Sequence, residues 1–190
     1  MKKILLITLL IIGCQKNIED INEETTSNSS LKFWEVKYFV NQNKEPTDVG
    51  YITNTKPIIG TYSNLNASNQ KLKVKIMIKE KAIGIKLYEN GGEIPIKGNM
   101  QNPIEYKINI KHNEQNIDFD FKGINENDVV IIGNIISSDQ QTTLINHLKL
   151  GGKFEFYMEN NEKNKSIYQF QINDLSNIAF SNLYNNLNKP

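Results

Sequence analysis

Residues 71–79 read Lys-Leu-Lys-Val-Lys-Ile-Met-Ile-Lys, and this stretch decides the fold class. Leu72, Val74, Ile76 and Ile78 fall on one side of an extended chain, and Lys71, Lys73, Lys75 and Lys79 fall on the other. Side chains in a strand alternate between faces, so the pattern describes a strand with one dry and one wet face. A helix would scatter the same residues around its whole circumference.

Working outward, the same period recurs. Downstream, Ile83, Ile85 and Leu87 alternate until Asn90-Gly91-Gly92, which supplies positive φ at little cost and reads as a turn. Upstream, Ser63 to Asn69 reads as a polar loop, preceded by strands through Ile58–Tyr62 and Val49–Ile52. Asn41 to Pro46 reads as a turn. Before it, Trp34, Val36, Tyr38 and Val40 alternate with Glu35 and Lys37, which puts Trp34 in a core register. Pro95 and Pro103 restrict the segment between them to an edge or a loop. Tyr106, Ile108 and Ile110 then pair, as a hairpin, with Ile117, Phe119 and Phe121, and Val129 to Ile132 is a continuous apolar strand.

Two helices follow. Ser138 with Gln141 forms a capping box; Leu144, Ile145 and Leu148 line one face, and Gly151-Gly152 ends the helix. Phe154, Phe156 and Met158 form a strand that returns through Tyr168, Phe170 and Ile172. Asp174 then caps a last helix carrying Leu175, Ala179, Leu183 and Leu187 on one row. These elements predict one mostly β domain over residues 32–190: an antiparallel sandwich or a partly open barrel with two short helices near the C-terminus.

Ahead of it, Gln15 to Ser30 is polar and acidic, with too little apolar surface to offset its ordering entropy, and reads as a tether. Met1 to Gly13 has a different character. Lys2 and Lys3 precede an apolar run from Ile4 to Ile12, and Gly13-Cys14 closes it. At ~1.5 Å per residue such a run covers roughly half of a ~30 Å hydrocarbon core, so it reads as an export signal and not as a span. Ile11-Ile12-Gly13-Cys14 resembles the lipobox of bacterial lipoproteins. That resemblance implies cleavage between Gly13 and Cys14, acylation of the Cys14 thiol, and attachment of the chain to a membrane of the cell envelope, either the outer membrane or the periplasmic face of the inner one. Gln15 in place of Asp leans toward the outer membrane. More than one acyl chain gives stable attachment, at ~0.8 kcal/mol per buried methylene.

Among the 190 residues the only Cys is Cys14, so the domain has no disulfide. All 22 basic residues are Lys. Loss of Lys2 and Lys3 with the signal leaves 20 Lys against 21 acids, a formal charge of about −1. That balance, with no Arg to read phosphate or guanine, gives no reason to expect a nucleic-acid partner.

Catalytic patterns are sparse. His112 lies in a polar turn and His147 on a helix beside Leu148, and no nucleophile elbow frames any Ser. No zinc spacing exists. Asn125-Glu126-Asn127-Asp128 gathers oxygen donors but lacks the spacing and Gly of a calcium loop. Asp118 and Asp120 would stand ~7 Å apart on one strand face, within range of a glycosidase pair, yet alternating acids are also what a wet strand face looks like. The Lys71, Lys73, Lys75 and Lys79 row suits anionic headgroups or a solvated face. Tyr51, Tyr62, Tyr88 and Tyr157 are candidates for a contact surface.

The domain also looks like small envelope lipoproteins of unassigned activity, through Trp34-Glu35-Val36, Gly60-Thr61-Tyr62-Ser63-Asn64 and Leu72-x-Val74-x-Ile76. Its Leu144 to Leu187 layout is similar to accessory envelope proteins of type VI secretion systems. Neither resemblance transfers a site residue; with the sparse catalytic and metal patterns above, the expectation is a non-catalytic protein with no cofactor and no metal, whose partner is an envelope or host protein. A small-ligand or glycan binder is the alternative, and a hydrolase ranks below both.

Overall fold

The computed structural model describes residues 33–80, 82–98, 103–133 and 139–187, without the side chains of Asp174 and Asn177. The expected signal, Cys14, the expected tether and the expected Ser138 cap lie outside them. The described residues belong to one unit, Leu31–Pro190.

The strands are β1 (Trp34–Val40), β2 (Pro46–Asn54), β3 (Ile58–Asn64), β4 (Ala67–Lys79), β5 (Ala82–Glu89), β6 (Ile104–His112), β7 (Gln115–Asn116), β8 (Phe121–Glu126) and β9 (Val129–Ile132), then β10 (Gly152–Asn160) and β11 (Ile167–Leu175). The helices are α1 (Asp139–Leu150), before β10, and α2 (Asn177–Leu187), after β11. Eight strands close a ring in the order β4-β3-β11-β10-β6-β8-β9-β5, with β5 returning to β4, and every pairing is antiparallel. The domain is mostly β, as expected, but it is neither a sandwich nor an open barrel. One sheet curls until its own edges meet, which removes two edges and leaves a single interior to fill.

Closure turns on β4, whose thirteen residues serve three partners. One edge pairs with β5 along Leu72 to Lys79. The other pairs with β3 up to Val74 and with β2 at Met77 and Ile78. In the gap between those partners the fully buried Asn54 replaces a strand. Its Oδ1 accepts from Ile76 N at 2.7 Å, and its Nδ2 donates to Val74 O at 3.3 Å and to Lys56 O at 2.6 Å. Buried backbone groups must be paired, and here a side-chain amide pairs them.

The dry faces of the strands fill the barrel: Leu72, Val74, Ile76 and Ile78 from β4, Ile83, Ile85 and Leu87 from β5, Phe154, Phe156 and Met158 from β10. Leu144, Ile145 and Leu148 of α1 join this core at the end where β9 finishes and β10 starts, tied there by Gln141 Nε2 donating to Ile132 O at 2.8 Å. Outside the ring β1 and β2 form a ribbon against which α2 packs, with the Phe180 ring 5.4 Å from that of Trp34.

Three expectations fail for local reasons. Ser63 to Asn69 is no loop but the tight end of the β3–β4 hairpin, since Thr61↔Lys71 and Tyr62↔Gln70 continue its ladder. Ile117 N still bonds Ile110 O at 2.9 Å and Phe121 still pairs with Ile108, but residues 118–120 leave the ladder through Phe119 N→Ile117 O (2.8 Å) and Phe121 N→Phe119 O (3.1 Å), and β6 continues with β8. The sequence hides β8 because Gly123 and Asn125 take two of its inward positions; a Cβ on Gly123 would stand 2.7 Å from Val130 Cγ1. Lastly, β11 runs on through Asp174 to Leu175, and Ser176 begins α2 instead, its Oγ 3.4 Å from Ala179 N. The buried anchor of α2 is Phe180, not the Leu row.

Candidate functional site

The end of the barrel away from α1 is a polar mouth. Glu89 ends β5, Tyr106 lies near the start of β6, Asn160 ends β10, Ser166 precedes β11, and Tyr62 and Tyr168 sit beside one another on β3 and β11. A cavity of about 250 Å³ opens there, lined among others by Glu89, Tyr106, Asn160, Glu162, Ser166 and Tyr168. Tyr168 donates to Glu89 Oε1 at 3.0 Å and Tyr62 to Asn90 Oδ1 at 2.8 Å. Asn160 Oδ1 accepts from Ser166 N at 2.9 Å, and its Nδ2 lies 3.4 Å from Glu162 Oε2. The Tyr106 hydroxyl is buried and makes no well-formed hydrogen bond, although the Asn125 side chain stands at hydrogen-bonding range of it. Burial pushes the Tyr106 phenol up to about 12, with the Asn125 amide pulling it back and the Glu162 and Glu89 carboxylates pushing it further. Burial, then Tyr106, raise Tyr168 as well. Both tyrosines therefore stay neutral at any ordinary pH.

The outer wall carries a second concavity, an open groove of about 1220 Å³. Asn109, Tyr157, Gln169 and Thr61 form one row straight across β6, β10, β11 and β3. At ~4.8 Å between strands the row is roughly 14 Å long. Segment 117–120 makes one bank and places Asp118 and Asp120 there, off the strand face where the sequence put them. Glu155 adds a third carboxylate, but its Oε1 is bound by Lys153 at 2.7 Å, and no His lines the groove.

The two histidines meet at the opposite end. His112 Nδ1 and His147 Nδ1 are 2.9 Å apart, and His112 Nε2 is 2.6 Å from Gly151 O. The carbonyl fixes a proton on His112 Nε2, so His112 Nδ1 accepts from His147 Nδ1–H. Burial first, and the neighbouring His112 second, lower the His147 pKa. With the His112 ring stacked on buried Phe154 at 4.5 Å, the pair fastens α1 to β6 and lines neither of the two concavities.

The other candidates separate. Asn125 is a buried β8 residue, and Asp128 is bound to Lys86 at 2.6 Å; among the described residues no group of three potential metal ligands exists. Tyr62 is core, Tyr51 packs on Phe39 at 4.7 Å, and Lys71, Lys73, Lys75 and Lys79 line the outer face of β4.

A third surface is the ribbon. In the sheet order β1 is terminal: one edge pairs with β2, and no described strand takes the other. Tyr38 (52% exposed), Phe39 (40%) and Val40 (61%) project near its tip. Sequence periodicity assigned Tyr38 and Val40 to the core face with Trp34; α2 covers only the first part of that face, so the rest stands free. The chain matches no protein-family model, no curated protein and no solved structure at a significant level.

Proposed function

We propose that this chain is a lipoprotein of the bacterial cell envelope, anchored through Cys14, whose non-catalytic β domain captures an extended segment of another protein as an added strand on β1. The observation that carries the reading is the free edge of the terminal strand β1, with Tyr38, Phe39 and Val40 exposed near its tip, beside a closed ring of eight strands. Main-chain hydrogen bonds along such an edge give affinity, and the side chains around it give selectivity. The Met1 to Cys14 pattern supports the anchor, and no described helix is long and apolar enough to cross a membrane.

The test is site-specific photo-crosslinking of the full chain in intact cells, from Tyr38 and, as control, from Lys73 on the barrel wall. One protein crosslinked from Tyr38 and not from Lys73 is the expected result; equal capture from both positions sinks the ribbon as the docking edge. Cys14→Ala checks the anchor: release from the membrane fraction or retention of the signal is expected, and a membrane-bound chain of mature size refutes it.

The outer groove favours a second reading, a glycan binder. The side chains of Asn109, Gln169 and Asp118 have no hydrogen-bond partner among the described residues, and the row offers amides and a Tyr at one-strand intervals. A glycan array probed with the wild-type chain and with Gln169→Ala tests it. Binding that the substitution abolishes supports the groove, and a blank array removes it.

A further inference from the structure

We propose that β1 pairs with β1 of a second copy of this chain, antiparallel and across a two-fold axis at Tyr38, so that the docking edge stays closed until a partner segment displaces the copy. The inference rests on the reading of β1 as a docking edge and supplies the regulation of that edge.

The backbone shows which groups are open. Phe33 O accepts from Thr55 N at 2.9 Å, Phe39 O accepts from Thr47 Oγ1 at 3.0 Å, and Asn41 N donates to Glu45 O at 2.9 Å. Residues 33, 39 and 41 thus turn their backbone groups toward β2, and alternation turns those of Val36, Tyr38 and Val40 away from it. Trp34 turns the same way but is only 2% exposed, so the open part of the edge runs from Val36 to Val40. Soluble proteins blunt such edges with Pro, a bulge or an outward charge. Here β1 contains no Pro, the irregularity between Tyr38 and Val40 lengthens β2 instead, and Lys37 is tied to Glu35 at 3.0 Å. Nothing in the strand discourages pairing.

The side chains then select the register. Two copies related by a two-fold axis present the same residues to one another, and only an axis through a residue keeps the two faces of the ribbon matched. An axis at Lys37 opposes two ammonium groups directly. One at Val36 opposes Tyr38 to Trp34, where the edge is closed, and one at Phe39 spends Val36 on Gln42 in the turn. The axis at Tyr38 has none of these faults. It sets Tyr38 against the copy's Tyr38 and Val36 against its Val40 on one face, with Lys37 against its Phe39 on the other. Val36, Tyr38 and Val40 can each exchange two N–H···O bonds with the residue opposite, and the two Phe39 rings become diagonal neighbours within reach. The charges also suit a twin: Glu35 and Lys37 neutralise one another within each copy, and each Lys37 ammonium comes beside the Phe39 ring of the other. An unrelated segment would have to bring apolar side chains to both faces of the strand, which the copy supplies by symmetry.

The experiment is oxidative crosslinking of the full chain in intact cells through single cysteines placed on β1, with the wild type, whose only Cys is Cys14, as background. Directly opposed residues stand ~4.5–5.5 Å apart at Cα, inside the range a disulfide spans. Tyr38→Cys should dimerise by itself. Lys37→Cys alone should not, whereas Lys37→Cys co-expressed with Phe39→Cys should. All three side chains are exposed, so the fold tolerates the changes, and the mixed pair leaves Tyr38 in place. Val40→Pro takes away an N–H that faces away from β2, and in the mixed pair it should cut the yield about tenfold, for two hydrogen bonds lost by symmetry. Absence of the mixed-pair dimer, a dimer from Lys37→Cys alone, or a yield from Lys73→Cys on the barrel wall equal to that from Tyr38→Cys overturns the proposal. Photo-crosslinking from Tyr38 separates this inference from the reading it rests on. No dimer but a captured second protein sinks self-pairing and leaves β1 as the docking edge; no dimer and no capture sinks both.

Discussion

Replacing Asn54 with Ala tests how the barrel is closed. The side chain holds three hydrogen bonds in the gap where β4 passes from β3 to β2, two of them to β4 itself. Alanine strands Ile76 N–H in a region water does not reach and takes one donor from Val74 C=O, which keeps its β3 partner in the Ile58↔Val74 pair. At ~1–3 kcal/mol for the buried N–H left unsatisfied and ~1 kcal/mol for the lost amide bond, the loss is roughly 2–4 kcal/mol. A domain of this size holds about 5–15 kcal/mol in all, so Asn54→Ala should fold but melt roughly 5–20 °C lower. Asn54→Asp separates the two bonds, since it keeps an acceptor for Ile76 N–H and loses the donor to Val74. Thermal unfolding by circular dichroism gives the magnitude, and amide exchange gives the location. In Asn54→Ala the Ile76 amide should exchange far faster, while those of Val74 and Ile85 stay protected. A variant that melts with the wild type, or one whose Ile76 amide stays protected, refutes the assignment of Asn54 as a substitute strand.

Other expectations follow from the same packing. Gly60→Ala drives a methyl group into Gln169 O and to 2.7 Å from Phe170 Cβ, and backbone cannot swing aside; a loss of ~1–3 kcal/mol or more by denaturant titration is expected, and an unchanged midpoint refutes it. Phe180→Ala empties the fully buried contact between α2 and Trp34 and should cost ~3–5 kcal/mol, with a red-shifted and quenchable Trp34 fluorescence; an unmoved spectrum argues against it. His147 has a lowered folded pKa, so the unfolded chain binds its proton first: the contribution is whole above the ordinary value near 6.5 and is lost as pH falls from there through the depressed folded value. Between pH 7.5 and 5, His147→Gln should therefore lose less stability than the wild type; parallel melting curves remove the histidine pair as the cause.

Much of the architecture was legible in the sequence because barrels and sandwiches share the same alternation. Lys71 to Lys79 told which residues face inward, but it could not tell whether the sheet would meet itself, since closure rests on long-range pairs such as Tyr62 with Tyr168. β8 was invisible because Gly123 and Asn125 occupy core positions that a period of apolar residues marks elsewhere. Asp174 read as a cap because its side-chain chemistry suits one, yet the ladder of β11 outran it. The candidate sites were less legible still. Asp118 and Asp120 were found as residues but placed on a strand, when they stand on the bank of a groove. The histidines looked remote, and only the turn after α1 brings them together. For the mouth the available signal was Tyr62, Tyr106 and Tyr168 at strand ends beside Asn and Glu, a pattern that reads equally as ordinary turn chemistry.

The ring closes where β3 meets β11, through only four paired residues, Tyr62 with Tyr168 among them. Everything between those strands must exist before the seam can form, so the loop to be closed is most of the domain. Contacts of such long sequence separation slow folding, because the entropy of closure is spent before any of them returns stability. The β3–β4–β5 meander, by contrast, joins neighbours in sequence and can assemble early. An emerging chain therefore passes through an open, curled sheet with the β3 edge unguarded until β11 arrives. That interval, more than the finished barrel, is when it is exposed to aggregation and needs protection from other chains.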